Sequence, residues 1–451
     1  MMKDGNLMGE GAVRRLLEKV LALSKADQTE VIFWSTDSAL TRFANNIIHQ
    51  NVTERQAAVT LRAVLGKRIG VASGNDITEA GLRRVVERAE LIARYQVENP
   101  DFVSLPEPFP VRSVAAVVPA TLAFGPERRA DVVGVLCRRA REKGLVASGA
   151  LQVAVTEVAV ANSLGVFAYH PQAMADINTV VMADSSSGYA DFFGLDASQI
   201  DAEALAREAV DKALRSQNPV GLEPGEYPVI LEEYAVNDIL DFLGYLGFSA
   251  TAVQEGRSFM GGHFGQQIMD PKVSIWDDGL GEGTIPMPFD FEGVPKEKVD
   301  FISKGVAKGV CYDSYTAFKE GKRSTGHALP APNTFGPLPM NQFMGPGTAT
   351  KEEMLAGMDR GIWVTRFHYT RHLHPLTVAV TGMTRDGTFL VEKGEITRPI
   401  KNLRFTQSYV DALKEVDLIG RSARLEGGNF TYNRVPALKL PRWNFVSATE
   451  Y

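Results

Sequence analysis

Apolar positions in the first half of the chain switch between a helical period and a period of two. Val13, Leu16, Leu17, Val20 and Leu21 recur at helical spacing within residues 11–24, with charges between them, and predict a surface helix docked on a core. Glu30 to Trp34 and Leu40 to Gln50 read as strands, and Gln56 to Leu65 alternates like a half-buried strand. Asp76 with Glu79 forms a capping-box pattern ahead of Leu82, Val85, Val86, Ala89 and Ile92, which predicts a helix. A further helix over 127–143 ends at Gly144, suited to a left-handed cap. Strands are expected at 151–160, 166–170 and 174–183, with a turn at 162–165, a flexible loop at Ser185 to Gly188 and an amphipathic helix at 201–216. No internal repeat stands out.

Asn218 to Gly225 has the Pro/Gly density of a linker, so the boundary is expected there, with domains at 1–218 and 219–451. Beyond it, Val229 to Leu231 reads as a short buried strand. Val236, Ile239, Leu240, Phe242, Leu243, Tyr245, Leu246 and Phe248 then predict a helix apolar nearly all round, as in a core. Short strands punctuated by glycine and proline follow, with one helix opened by the capping box Thr350 and Glu353 and hairpin turns at Asp386-Gly387 and Lys393-Gly394. The expected fold class is α+β: an N-terminal mixed sheet with flanking helices, then a β-rich, barrel-like domain holding a buried helix.

Length and composition agree with a folded multidomain protein, at 451 residues, 45% hydrophobic and 23% charged. A net charge of -6 without a Lys/Arg stripe disfavours direct nucleic-acid binding. Cys137 and Cys311 are far apart and show no CxxC spacing, which fits a reducing cytoplasm. Lys3, Asp4, Glu10, Arg14, Arg15, Glu18 and Lys19 argue against a secretory leader, and the longest apolar run, Val114 to Phe124, contains Pro119 and is too short to span a membrane.

Candidate chemistry is sparse. His368, His372 and His374 cluster in one segment, but Tyr369 stands where a zinc-peptidase motif of the His368/His372 spacing needs its glutamate. The flanking residues are β formers, and on a regular strand the three histidines share one face. They read first as structural groups and second as a metal or substrate site. His263, in a glycine-rich loop, reads first as a capping residue. There is no phosphate-binding glycine loop, no GxSxG elbow and no activated cysteine; Cys311 is expected in a core. Glu232-Glu233 suits a helix start and Asp277-Asp278-Gly279 a turn, ahead of any acid/base role. Arg385, Arg257 and, second to its capping reading, His263 are further substrate or cavity candidates.

A family resemblance rests on ordered motifs spread along the chain. Leu40 to Asn46, Ile48 to Asn51, Ala161 to Gly165, Gly225 to Ile230, Gly256 to Phe259, Gly305 to Val310 and Glu392 to Ile396 resemble segments of the TldD/PmbA family. The resemblance implies two-domain cytoplasmic proteins, described as peptide-maturation metallopeptidases and as modulators of DNA gyrase. Members pair, typically a metal-bearing TldD type with a TldE (PmbA) type. The TldD type carries an HExxxH helix after the strand that is here Val229 to Leu231, and a further cysteine ligand near the C-terminus. Aligned on that helix, Asp241, Phe242 and Leu246 stand at the His, Glu and His positions, and no cysteine follows Cys311. Phenylalanine cannot act as a base and leucine cannot bind a metal.

The resemblance is therefore to the TldE/PmbA side, with no cofactor of its own and zinc or a similar divalent metal in a TldD-type partner. The expectation is a subunit that is not itself catalytic, paired with that homologue or with itself, acting on unfolded peptides without nucleic acid or membrane. Two alternatives stand beside it. One is a self-sufficient metal-dependent peptidase built on His368, His372 and His374, and the other is an interaction protein acting on DNA gyrase or a toxin system.

Overall fold

A computed structural model describes residues 7–428 and 431–448; Lys3 and Asp4 lie outside them. After α1 (Glu10–Leu23), the strands β1 (Gln28–Ala44), β2 (Ile47–Leu65) and β3 (Arg68–Gly74) run antiparallel and lead into α2 (Glu79–Tyr95). The short turn α3 (Pro119–Leu122) precedes a second series, α4 (Pro126–Glu142), β4 (Val146–Asn162), β5 (Phe167–Ala183), β6 (Ser186–Gly194) and α5 (Ala202–Arg215). The six strands form one antiparallel sheet ordered β3-β2-β1-β4-β5-β6, so β1 and β4 pair at its centre.

The chain contains a structural repeat, helix-strand-strand-strand-helix taken twice about the β1/β4 seam, which residue identities did not disclose. Both copies place their helices on the same face. α1 and α2 cover Val31, Phe33, Leu61 and Ala159, while α4 and α5 cover Ala39, Phe43, Leu151 and Ile177. Each copy also presses a glycine of its outer strand against a helix backbone. A Cβ on Gly70 would lie 2.1 Å from the Ala89 carbonyl oxygen, and one on Gly188 would lie 2.1 Å from that of Ala209.

Several boundaries move. Glu30 to Trp34 and the start of Leu40 to Gln50 belong to one strand, and the reversal comes at Asn45-Asn46, whose φ values of 52° and 61° are those asparagine tolerates in a tight hairpin. Residues 166–170 and 174–183 fall on one strand, and Ser186 to Gly188 already belongs to β6. The N-cap of α2 is Thr78, which accepts from Gly81 N. Asp76 instead accepts from Thr78 and Arg84.

The second sheet opens with β7 (Gly225–Leu231), followed by α6 (Glu233–Gly247), α7 (Ala250–Gln254), β8 (Ile275–Asp277), β9 (Val299–Ser303), β10 (Val306–Ala307), α8 (Ser314–Lys319), β11 (Asn341–Met344) and α9 (Lys351–Ala356). Then come β12 (Arg360–His374), β13 (Ala379–Glu392), β14 (Glu395–Pro399), β15 (Leu403–Ser408), α10 (Tyr409–Ala412), β16 (Leu418–Gly427) and β17 (Tyr432–Ala448). β7 pairs in parallel with β12 and antiparallel with β17, and β12, β13, β15 and β17 pair in succession, so the ring closes as a barrel. The anticipated barrel is there, but β12, β13 and β17 have 15, 14 and 17 residues rather than the short lengths expected.

The capping box of Thr350 and Glu353 opens α9 as expected, and Lys393-Gly394 makes the β13/β14 turn. Asp386-Gly387 does not turn the chain. It is a bulge inside β13 opposite the step from Val364 to Arg366, and its positive φ values produce a local kink.

The two sheets meet across a seam that is both apolar and charged. Ile32, Val158, Val160 and Ala168 pack on Phe289 and Phe291. Beside them Arg62 donates to Glu30 at 2.6 Å and to Glu292 of the other half at 3.1 Å. Burial, opposed by the Arg62 charge that Glu292 shares, lifts the Glu30 carboxyl to about 7. A carboxyl that titrates near 7 when folded and near 4.5 when unfolded keeps its proton only in the folded state between those values. Its contribution therefore falls as pH rises from about 4.5 to about 7, by about 3 kcal/mol, and is level above. Glu30→Gln is expected to flatten the stability profile in that window, measured by urea unfolding at successive pH values. An unchanged slope would refute the assignment.

Candidate functional site

The candidate site is the groove over α6, whose placement begins with two acidic residues. Glu232 is the N-cap of α6. Its buried carboxylate accepts from Lys212 Nζ at 2.8 Å and Trp363 Nε1 at 2.6 Å, and Glu233 pairs with Lys351 at 2.6 Å. Burial alone would raise the Glu232 carboxyl, but the charges of Lys212 and Lys351 and the bonds from Lys212 and Trp363 outweigh it and hold the group at about 2. These acids fasten the helix start to α5, β12 and α9, as the helix-start reading expects, with ion pairs that sequence did not show.

From that anchor, Val236, Ile239, Leu240, Leu243 and Leu246 turn into the main core. The helix is not apolar all round, however. Asn237, Asp238, Asp241 and Phe242 are half-buried and Tyr245 is exposed, and together they line one face over two turns. Asp238 accepts from Tyr409 Oη at 2.6 Å and Thr370 Oγ1 at 2.7 Å, and burial pushes its carboxyl up to about 6. Asp241 accepts from Thr431 Oγ1 and, at 2.6 Å, from Asn433 Nδ2, which also donates to Asn237 Oδ1. Gln342 Nε2 donates in turn to Asn433 Oδ1 at 3.0 Å. Gly244 admits that glutamine, since a Cβ there would lie 2.4 Å from its Oε1.

The three positions singled out on this helix therefore have distinct surroundings. Asp241 is held by two side-chain donors, Phe242 packs against the rings of Tyr409 and His372, and Leu246 is 4% exposed inside the core. A zinc site needs three or four nitrogen, sulfur or oxygen donors converging on one point, and this set offers one carboxylate. These positions do not fit the metal that the resemblance implies.

The histidine segment lies on β12 but not on one face. Tyr369, at φ 54°, forms a bulge after His368, and the register breaks again between His372 and His374. His368 pairs with Met383 while His372 pairs with Val380, on the opposite face, where His372 approaches Phe242 and Tyr245. His374 is exposed, with Nδ1 3.4 Å from Thr377 Oγ1. Burial, then Arg385 and Arg366, lower the His368 pKa. Among the described residues no group of three or more His, Cys, Asp or Glu is disposed to hold a metal.

The remaining candidates are dispersed. Arg257 pairs with Glu255, His263 Nδ1 lies 3.0 Å from the Gly261 carbonyl oxygen, and Arg385 is exposed 3.9 Å from Asp386. Cys311 is fully buried, as expected. Asp278 does serve a turn, accepting from Leu280 N, but Asp277 is misread as one. It is fully buried in β8, 3.0 Å from His327 Nε2, 3.6 Å from Lys296 Nζ and bonded by Asn341 N. Burial works against its charge, and Lys296 and His327 overcome that to hold it below the usual carboxylate range. No local pattern could have joined residues so far apart in sequence.

Comparison with known proteins places this architecture. Residues 224–447 match the PmbA/TldA metallopeptidase C-terminal domain, residues 29–93 its domain 1 and residues 126–217 its central domain. The chain belongs to the PmbA/TldD family. The segments 29–93 and 126–217 fall one in each copy of the structural repeat. The Metalloprotease TldD homolog of Haemophilus influenzae is 24% identical over 91% of this chain and 88% of its own length, and the Metalloprotease PmbA of Escherichia coli O157:H7 is 26% identical over 91% of each. Identity over the whole length thus favours neither branch of the PmbA/TldD family.

Among solved structures, TldE from Thermococcus kodakarensis superposes with a TM-score of 0.89 at 20% identity, covering 96% of this chain and 100% of that one. A Thermotoga maritima protein described as a proposed modulator of a DNA gyrase gives 0.86 at 19%, with the same coverage. Both share the fold. Among the described residues no helix is long and apolar enough to cross a membrane.

Proposed function

We propose that this chain is the TldE/PmbA-type subunit of a two-chain metallopeptidase acting on unfolded peptides in the cytoplasm, with zinc or a similar divalent metal and the glutamate base supplied by a TldD-type partner. The observation that carries the reading is the state of α6. The helix is retained and packed, while the positions the family uses for ligands and base hold an occupied aspartate, a packed phenylalanine and a core leucine. Its half-buried stripe contributes wall and orientation to a shared cavity rather than the reacting group. The division at 1–218 and 219–451 then gives each half a separate part: the first supplies a helix-free sheet face, the second the helix beside it.

The test is affinity purification of the full chain from its native cell. A co-eluting homologue that carries HExxxH, and peptide cleavage that needs both chains, is the expected outcome. A clean homodimer sinks the proposal. So does near-stoichiometric metal in the isolated chain that is lost on His372→Ala and His374→Ala, because that places the activity on the histidines. Co-purification with a topoisomerase and no HExxxH homologue also sinks it, in favour of an interaction role.

A further inference from the structure

Close to α6, the helix-free face of the first sheet and the second half of the chain flank a half-open cavity of about 520 Å³. β5 and β6 supply Asp176, Asn178, Tyr189, Asp191 and Phe193, and the β17 side supplies Tyr432. Asn178 pairs with Asp191 and Asp176 with Phe193 across the two strands, so these four side chains project from one face. Phe193 and Tyr432 stack at 5.6 Å, so the cavity has aromatic walls as well as carboxylates.

The two carboxylates differ. Asp191 already has its counter-charge, with Arg424 Nη2 2.7 Å from Oδ1 and Tyr189 Oη donating to Oδ2 at 2.8 Å. Asp176 has none among the described residues: only burial and the like charge of Asp191 act on its carboxyl. Burial and then the neighbouring Asp191 lift its carboxyl to about 6, a penalty on its charge that a cation placed beside it would offset. Calcium or magnesium would need six or more oxygen ligands and zinc three or four converging donors, and only one carboxylate here is unengaged. An organic ammonium needs one carboxylate and gains from aromatic faces.

We infer that this cavity binds an alkylammonium group of an extended peptide, with Asp176 as its ion-pair partner and Tyr189, Phe193 and Tyr432 around its stem. The inference rests on the peptide-handling reading above and names the class of peptide: one bearing a lysine side chain or a free amino terminus. It assigns Asp176 to substrate rather than to stability, for a lone half-buried carboxylate opposes folding.

The test is the affinity of the full chain for three short unstructured peptides, measured by calorimetry for wild type and Asp176→Asn. One is capped with a central lysine, one is capped with norleucine in its place, and one has norleucine with a free amino terminus. The expected result is that at least one ammonium-bearing peptide binds about tenfold more weakly to Asp176→Asn, while the capped norleucine peptide binds weakly to both and the variant melts no lower than wild type. Which ammonium peptide responds identifies the side chain or the terminus as the source. Equal affinity of wild type and variant for both ammonium peptides overturns the inference, as does capped norleucine binding to wild type as tightly as both ammonium peptides. Because the measurement uses this chain alone, failure to find a metal-bearing partner leaves its outcome standing.

Discussion

Gly70→Ala is expected to cost about 3 kcal/mol or more, and Gly188→Ala a similar amount, because neither site can accept one methyl group without moving a helix. At Gly70 the new carbon would lie 2.1 Å from the Ala89 carbonyl oxygen and 2.3 Å from Ala93 N. At Gly188 it would lie 2.1 Å and 2.6 Å from the matching atoms of Ala209 and Ala213. These contacts are with helix backbone, which cannot swing aside as a side chain can. The control is Gly66→Ala, at φ 61° with nothing within 4 Å of the added carbon, where the cost is backbone strain of roughly 1 kcal/mol. Urea unfolding of the three variants separates the two mechanisms. Losses at Gly70 and Gly188 no larger than at Gly66 would show that the outer strands and helices are not packed this closely.

Arg424→Met is expected to loosen the two halves by about 3–5 kcal/mol at pH 8, since it removes the cation from the buried Asp191 and Glu426 and leaves those two acids without a counter-charge. Arg424 reaches Asp191 and Glu208 in the first half and Glu426 in the second, and donates to Tyr234 Oη at 2.7 Å. Burial, then Asp191, lifts the Glu426 carboxyl well above the usual range even with the arginine present, and burial also raises Asp191. Without the arginine both groups bind protons more tightly in the folded than in the unfolded chain. The deficit is therefore complete at high pH and shrinks as pH falls toward the unfolded carboxyl range. Denaturation of variant and wild type at pH 8 and pH 5 checks both parts. Equal stability at pH 8, or a loss as large at pH 5, would contradict this account of the seam.

How much of this could be read from the sequence varies with the range of the interactions concerned. α1, α4, α5 and α6 were legible because an apolar stripe at helical spacing is a local signal. The strands of the first half were legible in place but not in length, because polar residues at Ser35 to Ser38 interrupt the apolar run while the backbone pairing continues through them. Asp386-Gly387 was mistaken for a hairpin because a turn and a bulge ask for the same positive φ, and only the partner strand decides between them. On α6, sequence identified residues that cannot form a metal centre, but the donors holding Asp238 and Asp241 come from Thr370, Tyr409, Thr431 and Asn433, far along the chain. The repeat was invisible for a related reason: matching strands need the same alternation of inside and outside, and many unrelated residues satisfy it.

The closure of the barrel by β7 and β17 sets an order of events during synthesis. The strands of the first sheet are contiguous in the chain and can pair as they emerge, whereas Leu231 meets Leu438 only after nearly half of the sequence has been added between them. Until then Phe367 and Phe405 lack Trp443, the ring they pack against, and α6 lacks the strand that supplies Asn433. The growing polypeptide thus carries a finished first layer and an unsealed, sticky second one through nearly half of translation, and that interval is when a chaperone is most needed.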